Sequence, residues 1–313
     1  MHNIELLVSA RNLENLKMAI SAGADAIYIG GESFGVNNMK DHFTKEELAE
    51  GVEYAHNNNK KVFISISIMP HSEDLNSLRE YLITINDIKV DGIIVADPGA
   101  MKVVKEVMPN VAIHMGPQAN VMNYHSAKFW YNQGVKRIMA TSELSIDEIG
   151  KIRAKTPLDL EIETFVHGPI CISHSGRRLL SSYLDDKDNI DYDKISDKKF
   201  NLLEEKRQDE YYPVYEDDRG TFFFNSRDLC MLKYIPEFIK AGVTSLKIDG
   251  RLQSDECLET VIKVYRNAID EFYKNPNEWT FKQEWLDEIR KYSNRPLTNA
   301  FYTGNTNPDD YEE

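Results

Sequence analysis

No stretch of the 313-residue sequence approaches the roughly 18 apolar residues needed to span a bilayer. The opening MHNIELLVSARN lacks a basic segment followed by an apolar run, so it does not read as an export leader. Cysteine is scarce, with only Cys171, Cys230 and Cys257. In a chain without an export signal, that scarcity points to reduced thiols and a cytoplasmic setting. Positive charge is also short: 37 Lys and Arg against 51 Asp and Glu leave a net charge of −14. Nucleic-acid binding ordinarily needs a basic footprint, so any nucleic-acid partner would have to meet a local basic patch or be held mostly by another subunit. There is no G-x-G-x-x-G turn after the first apolar strand, which weakens a dinucleotide-binding reading. Nor is there an H-E-x-x-H helix, a G-x-S-x-G elbow, a Walker loop or an EF-hand loop.

What is present is alternation. Short β-rich runs occupy Glu5–Val8, Ala26–Gly30, Val62–Ile68, Gly92–Ala96, Val111–Met115, Arg137–Ala140, Leu160–Val166 and Leu246–Ile248. Segments with helical start and stop chemistry lie between them. Thr44-Lys45-Glu46-Glu47 and Ser145-Ile146-Asp147-Glu148 fit a capping box, where a hydroxyl and a carboxylate satisfy the first-turn amides. Gly23, Gly134 and Gly242 stand where helices would end in a left-handed residue, each followed by an apolar strand. This alternation predicts a (β/α)8 TIM-like barrel, with an open doubly wound sheet as the rival. The barrel should occupy residues 1–275. The interval from Val166 to Leu246 exceeds what a crossover needs. It predicts a long insertion between strands seven and eight, at about 168–225, and a helix near Arg227–Ala241 bent or restarted at Pro236. The middle of the insertion, from Asp185 to Asn189, is charged. Residues 276–313 read as a C-terminal tail packed on the barrel wall through Trp279 and Trp285.

Strand period two sorts the faces. Leu160, Ile162, Thr164 and Val166 suit the layer under the helices, which turns Glu161, Glu163, Phe165 and His167 inward. Ser65, Ser67, His114, Lys247 and Asp249 point inward by the same rule. Unpaired charges inside would each cost several kcal/mol, so these groups must pair with one another or with a ligand. His167 and Arg251 fall just past strand ends, where barrel enzymes keep their chemistry. Lys247, Arg251 and Arg177, with Arg178, could form a cationic pocket for a small anion, since the guanidinium fork suits carboxylates. Against this, Glu163 and Lys247 could be a purely structural ion pair, and Arg177 and Arg178 a solvated loop. Cys171 lies between His167 and His174. A Cys/His nucleophile needs a reactive thiolate, and the Cys/His spacing matches no closed zinc motif. Cys257 sits on the apolar stripe Cys257, Val261, Val264, Ala268, Phe272 and reads as packing.

The run Glu163-Thr-Phe-Val-His-Gly-Pro-Ile-Cys171-Ile-Ser-His-Ser-Gly-Arg-Arg178 resembles the signature of the collagenase-like peptidase family U32. So do Phe224-Asn-Ser-Arg-Asp-Leu-Cys230, Ser245-Leu-Lys-Ile-Asp-Gly-Arg251, Gln118-Ala-Asn-Val-Met-Asn123 and Asn294-Arg-Pro-Leu-Thr-Asn-Ala-Phe-Tyr-Thr-Gly304. The resemblance covers nearly the whole chain. It implies oxygen-independent hydroxylation, as in members that form 5-hydroxyuridine at the tRNA wobble position, with prephenate as hydroxyl source. It equally allows a collagenase-like peptidase, or a non-catalytic scaffold for a homologue.

Those hydroxylating members are similar in holding a 4Fe–4S cluster through cysteines. Here Cys171 and Cys230 match two ligand positions. Arg178 replaces a third, and the charged stretch around Ile190–Ser196 replaces the segment that supplies the fourth. Two thiolates do not hold such a cluster. The expectation is therefore no cofactor or metal in this chain, and a cysteine-complete family member as its partner carrying the cluster. The branch that fits is the short first protein of the tRNA-hydroxylation pair in Firmicutes. By this reading His167, Glu163 and Lys247 are the candidate catalytic residues. Arg251, Arg177, Gln118, Asp249 and His114 are the candidate ligand-binding residues.

Overall fold

The computed structural model describes residues 4–31, 43–184, 198–204, 207–217 and 220–304. The charged stretches from Asp185 to Asn189 and from Ile190 to Ser196 lie outside them. Strands β1 (Glu5–Ser9), β2 (Ala26–Gly30), β3 (Lys61–Ile66), β4 (Gly92–Val95), β5 (Ala112–Met115), β6 (Arg137–Met139) and β7 (Glu161–Ser175) pair in parallel in chain order. The remaining strands are β8 (Lys198–Glu204), β9 (Arg207–Asp217), β10 (Gly220–Cys230), β11 (Ser245–Ile248) and β12 (Leu297–Thr298). β11 pairs in parallel with both β7 and β1, aligning Lys247 with Phe165 on one side and Leu7 on the other. That double pairing closes an eight-stranded (β/α)8 barrel and excludes the open sheet.

The helices are α1 (Leu13–Ala22), α2 (Lys45–Asn57), α3 (Asp74–Ile85), α4 (Pro98–Val107), α5 (Tyr124–Asn132), α6 (Ile146–Arg153), α7 (Leu179–Leu184), α8 (Ile235–Lys240), α9 (Asp255–Lys274) and α10 (Gln283–Arg290). Both capping boxes form, Thr44 opening α2 and Ser145 opening α6. Gly23 ends α1 in the left-handed region at φ 115°. One face of each barrel strand, including Leu6, Val8, Ile27, Ile29, Ile64, Ile93, Ile162, Val166, Leu246 and Ile248, is buried in the core formed with the helices.

The barrel interior is divided. Leu7, Ala26, Tyr28, Phe63 and Ile94, from β1, β2, β3 and β4, form a small apolar cluster of their own. Facing it, β5, β6, β7 and β11 supply the buried polar groups His114, Arg137, Glu163 and Lys247. The polar half therefore packs against an apolar half, where its charges are strong and must pair.

Strand β7 departs from expectation. It does not end at Val166 but runs to Ser175, because residues beyond His167 pair antiparallel with β10, Cys171 opposite Phe224 and His174 opposite Phe222. β9 and β8 extend this antiparallel sheet outward. The segment expected as an insertion beginning at Gly168 is thus first a continuation of the barrel wall. Arg227 belongs to β10, not to a helix. The helix starts only at Ile235, with Pro236 in the first turn, where its missing N–H costs nothing. Towards the C-terminus, Trp285 is buried, the Trp279 indole donates to the Ala268 carbonyl at 3.0 Å, and β12 pairs with β10. Tyr302 is buried, its hydroxyl 2.8 Å from that of Thr164 on the outer face of β7.

Candidate functional site

At the C-terminal ends of the strands lies a cavity of about 230 Å³. Tyr28, Ser65, Ser67, Gln118 and Thr141 line one side. His167, Lys247, Asp249 and Arg251 line the other, and Phe165, Phe222 and Phe224 give it an aromatic wall. Its geometry depends on a close backbone approach. The Asp249 N–H donates to the His167 carbonyl at 2.9 Å. Gly168, at φ 110°, passes so near that a Cβ there would lie 2.1 Å from the Asp249 carbonyl oxygen. Only glycine fits such a position without displacing the neighbouring strand. The N–H of Gly250 then bonds the Ser9 hydroxyl at 2.8 Å, tying the turn after β11 to β1.

The charges are paired. Lys247 Nζ donates to Glu163 Oε1 at 2.9 Å and stands 3.9 Å from the centroid of the Tyr28 ring. Burial lowers the Lys247 pKa below its ordinary value, partly offset by Glu163. Below this pair, Arg137 reaches Glu163 Oε2 at 3.2 Å, Glu5 at 2.6 Å and Glu161 at 2.6 Å. At the rim, Arg251 grips Asp249 with two bonds, Nε to Oδ1 at 2.9 Å and Nη2 to Oδ2 at 2.6 Å. Burial alone would raise the Asp249 pKa, but the guanidinium outweighs it and holds the carboxyl below its usual range. Lys247 on β11 and Arg251 just beyond it thus already have carboxylate partners, Glu163 and Asp249. A bound anion would compete with Asp249 or share Arg251 with it.

His167 is buried, with its ring edge-on to that of Tyr265 at 5.6 Å between centroids. Burial drops its pKa to about 3, so it is a neutral imidazole at physiological pH, and its Nδ1 has no hydrogen-bond partner among the described residues. A neutral imidazole lining a cavity offers one ring nitrogen as a hydrogen-bond donor and the other as an acceptor.

Of the eight residues singled out from the sequence, Lys247, His167, Asp249, Arg251 and Gln118 line the cavity. Three do not. Glu163 lies beneath it, between Lys247 and Arg137. His114 is buried against the Phe63 ring, 4.7 Å between centroids. Arg177 is exposed beyond the end of β7. Arg137 was missed. It alternates with Ile138 in a strand whose inner face was not sorted, and period two would have placed it inside. Tyr28 was missed because an inward tyrosine on β2 looks like packing.

The cysteines do not assemble a metal-binding group. Cys171 stands opposite Phe224 and Cys230 opposite His167, at separate registers of the β7–β10 pair. The surrounding protein pushes both thiols up to about 11, and Cys230 is wholly buried near the Tyr265 hydroxyl. These residues do not fit a four-thiolate cluster. The Cys171 thiol donates to the Ser173 carbonyl at 3.3 Å, and His174 stacks on Phe222 at 4.5 Å. A protonated thiol is a poor nucleophile, which weighs against a cysteine peptidase.

Fold and site together define a (β/α)8-barrel protein with a cavity at the strand ends, extended by an antiparallel sheet. The chain belongs to peptidase family U32, whose profile matches residues 11–312. It is 36% identical over 310 residues to tRNA hydroxylation protein P1 of Bacillus subtilis, covering 96% of this chain and 71% of that protein. To tRNA hydroxylation protein P2 of the same species it is 30% identical over 302 residues, covering 95% of this chain and 97% of that protein. Identity is higher to P1, the first of the pair, in line with the resemblance read from the sequence, while in length the chain matches the protein called P2. Among solved structures, DHDPS from Cyanidioschyzon merolae with lysine bound superposes with a TM-score of 0.50 at 9% identity, over 93% of this chain and 82% of that one, a likeness of fold alone. Among the described residues no helix is long and apolar enough to cross a membrane.

Proposed function

We propose that this protein is a cytoplasmic component of an oxygen-independent system that hydroxylates the tRNA wobble uridine to 5-hydroxyuridine. That its relatives in Bacillus subtilis are tRNA hydroxylation proteins supports that system. The observation that carries a direct role for this chain is the cavity, where a neutral His167, Lys247 and Arg251 meet against an aromatic wall. Prephenate, a small dicarboxylate with a ring, suits such a lining. Arg251 would take a carboxylate by sharing its fork with Asp249. Lys247 would face the ligand with its charge held by Glu163, and His167 would move a proton at the ligand. The 4Fe–4S cluster would reside on a cysteine-complete homologous partner, which would also present the tRNA, since this chain is acidic. The test is deletion of the gene followed by mass spectrometry of tRNA nucleosides. Loss of 5-hydroxyuridine derivatives is expected; unchanged levels would overturn the reading.

A further inference from the structure

The residue the ion pairs leave least explained is Lys247. A lysine needed only to balance Glu163 has no reason to line a ligand cavity, because Arg137 already pairs with that carboxylate from below. Lys247 is only 4% exposed, yet it forms part of the cavity wall, with its Nζ 3.9 Å from the Tyr28 ring centroid and 5.6 Å from that of Phe165. We propose that the cavity is an imine-forming site, in which the Lys247 amine condenses with the carbonyl carbon of a small 2-oxo acid. The proposal rests on the reading of this cavity as a ligand site, and adds covalent chemistry to it.

The ammonium of Lys247 passes one proton to Glu163, to which it is hydrogen-bonded. The free amine lone pair forms a C–N bond to the carbonyl carbon, and the carbonyl oxygen takes protons and leaves as water. The product is a protonated imine. The balance is one ammonium and one ketone giving one iminium and one water, with no change of oxidation state. Nitrogen keeps its positive charge and one N–H, so the ion pair with Glu163, and through it the bond to Arg137, survives the reaction. That conservation lets a buried network of this kind accommodate the step without an uncompensated charge. Desolvation favours the neutral amine that must attack, as in other lysines that form Schiff bases. The substrate class follows from the walls: Phe165, Phe222 and Phe224 suit an apolar body, and Arg251 a carboxylate.

The experiment incubates the full-length protein with phenylpyruvate, and separately with pyruvate, in the presence of sodium cyanoborohydride. Intact-mass and peptide mass spectrometry read any adduct, and calorimetry without reductant reads binding. The expected result is a single adduct per chain on Lys247, preferring phenylpyruvate and absent from Lys247→Arg. Glu163→Gln should slow trapping by a factor on the order of a hundred, as loss of a general base does. Peptide mapping of the unaltered protein needs no variant to fold. Binding without an adduct would overturn the imine and leave the ligand reading standing. Adducts scattered over surface lysines, equal in Lys247→Arg, would overturn it too, as would neither binding nor adduct.

Discussion

Lys247 and Arg137 share a single carboxylate: Glu163 gives Oε1 to the lysine at 2.9 Å and Oε2 to the arginine at 3.2 Å, the lysine in the cavity wall and the arginine buried beneath it. Removing the shared group strands Lys247, while Arg137 keeps Glu5 and Glu161; removing the lysine leaves the carboxylate still paired with Arg137. Glu163→Gln should therefore destabilise the fold by about 3–5 kcal/mol, and Lys247→Met by clearly less. In the double variant the two costs should fall short of additive. Urea unfolding of the four proteins measures this; equal, additive costs would show that the two groups are not coupled.

Gly168 follows His167 on β7, where that strand passes the Asp249 backbone just beyond β11. Gly168→Ala combines a left-handed backbone with a Cβ driven into the Asp249 carbonyl oxygen. Gly304→Ala is the control, with φ at 79° and nothing within 4 Å of the added carbon. The control should cost about 1 kcal/mol. Gly168→Ala should cost at least about 3 kcal/mol, strain and displacement together, and should weaken ligand binding by moving Asp249 and Arg251. Thermal melts with ligand titration test both, and similar melting temperatures for the two variants would remove the argument for a tight crossing.

His167 has a folded pKa near 3 against an ordinary 6.5. Above 6.5 the ring is neutral in both states, so it costs nothing. As pH falls from 6.5 toward 3, the unfolded chain takes up a proton that the folded chain refuses, and stability is lost through that window. Between pH 6.5 and 5 the loss from this one group is about 2 kcal/mol. His167→Asn should flatten the acid side of the stability curve by that amount. Burial also depresses His114, so part of the slope should persist. An unchanged slope would place His167 in contact with water.

In a deletion strain, the unaltered gene should restore tRNA hydroxylation, while Lys247→Ala and Arg251→Ala should fall at least tenfold short, the size expected when a substrate contact is lost. Arg177→Ala should restore it fully, because that side chain lies outside the cavity. Full rescue by Lys247→Ala and Arg251→Ala would instead favour a chain that only supports a catalytic homologue.

The barrel was readable because its determinants are local. Capping boxes at Thr44 and Ser145, the glycine that ends α1 and the apolar face of each strand act within a few residues, and all appear where the sequence puts them. The inward turn of Lys247 and Asp249 was readable from period two alone. The end of β7 was not. Its continuation to Ser175 depends on β10, some fifty positions later, whose Phe222 and Phe224 line the cavity. Long-range pairing leaves no local mark, so a strand supported by a distant partner reads as a loop. The pairing of Arg251 with Asp249 was likewise hidden, and it changes the site from a pool of positive charge to a set of balanced pairs. Arg177 misled for the opposite reason: a basic side chain close in sequence to the site was carried away by the same strand extension.

Strand β7 runs as one element from the barrel wall into the outer sheet, Glu161 to Ser175, with Gly168 at φ 110° between its two halves. A single stretch of backbone therefore carries both the imidazole at the cavity and the edge that pairs with β10, so a substitution in the outer sheet is never remote from the barrel mouth.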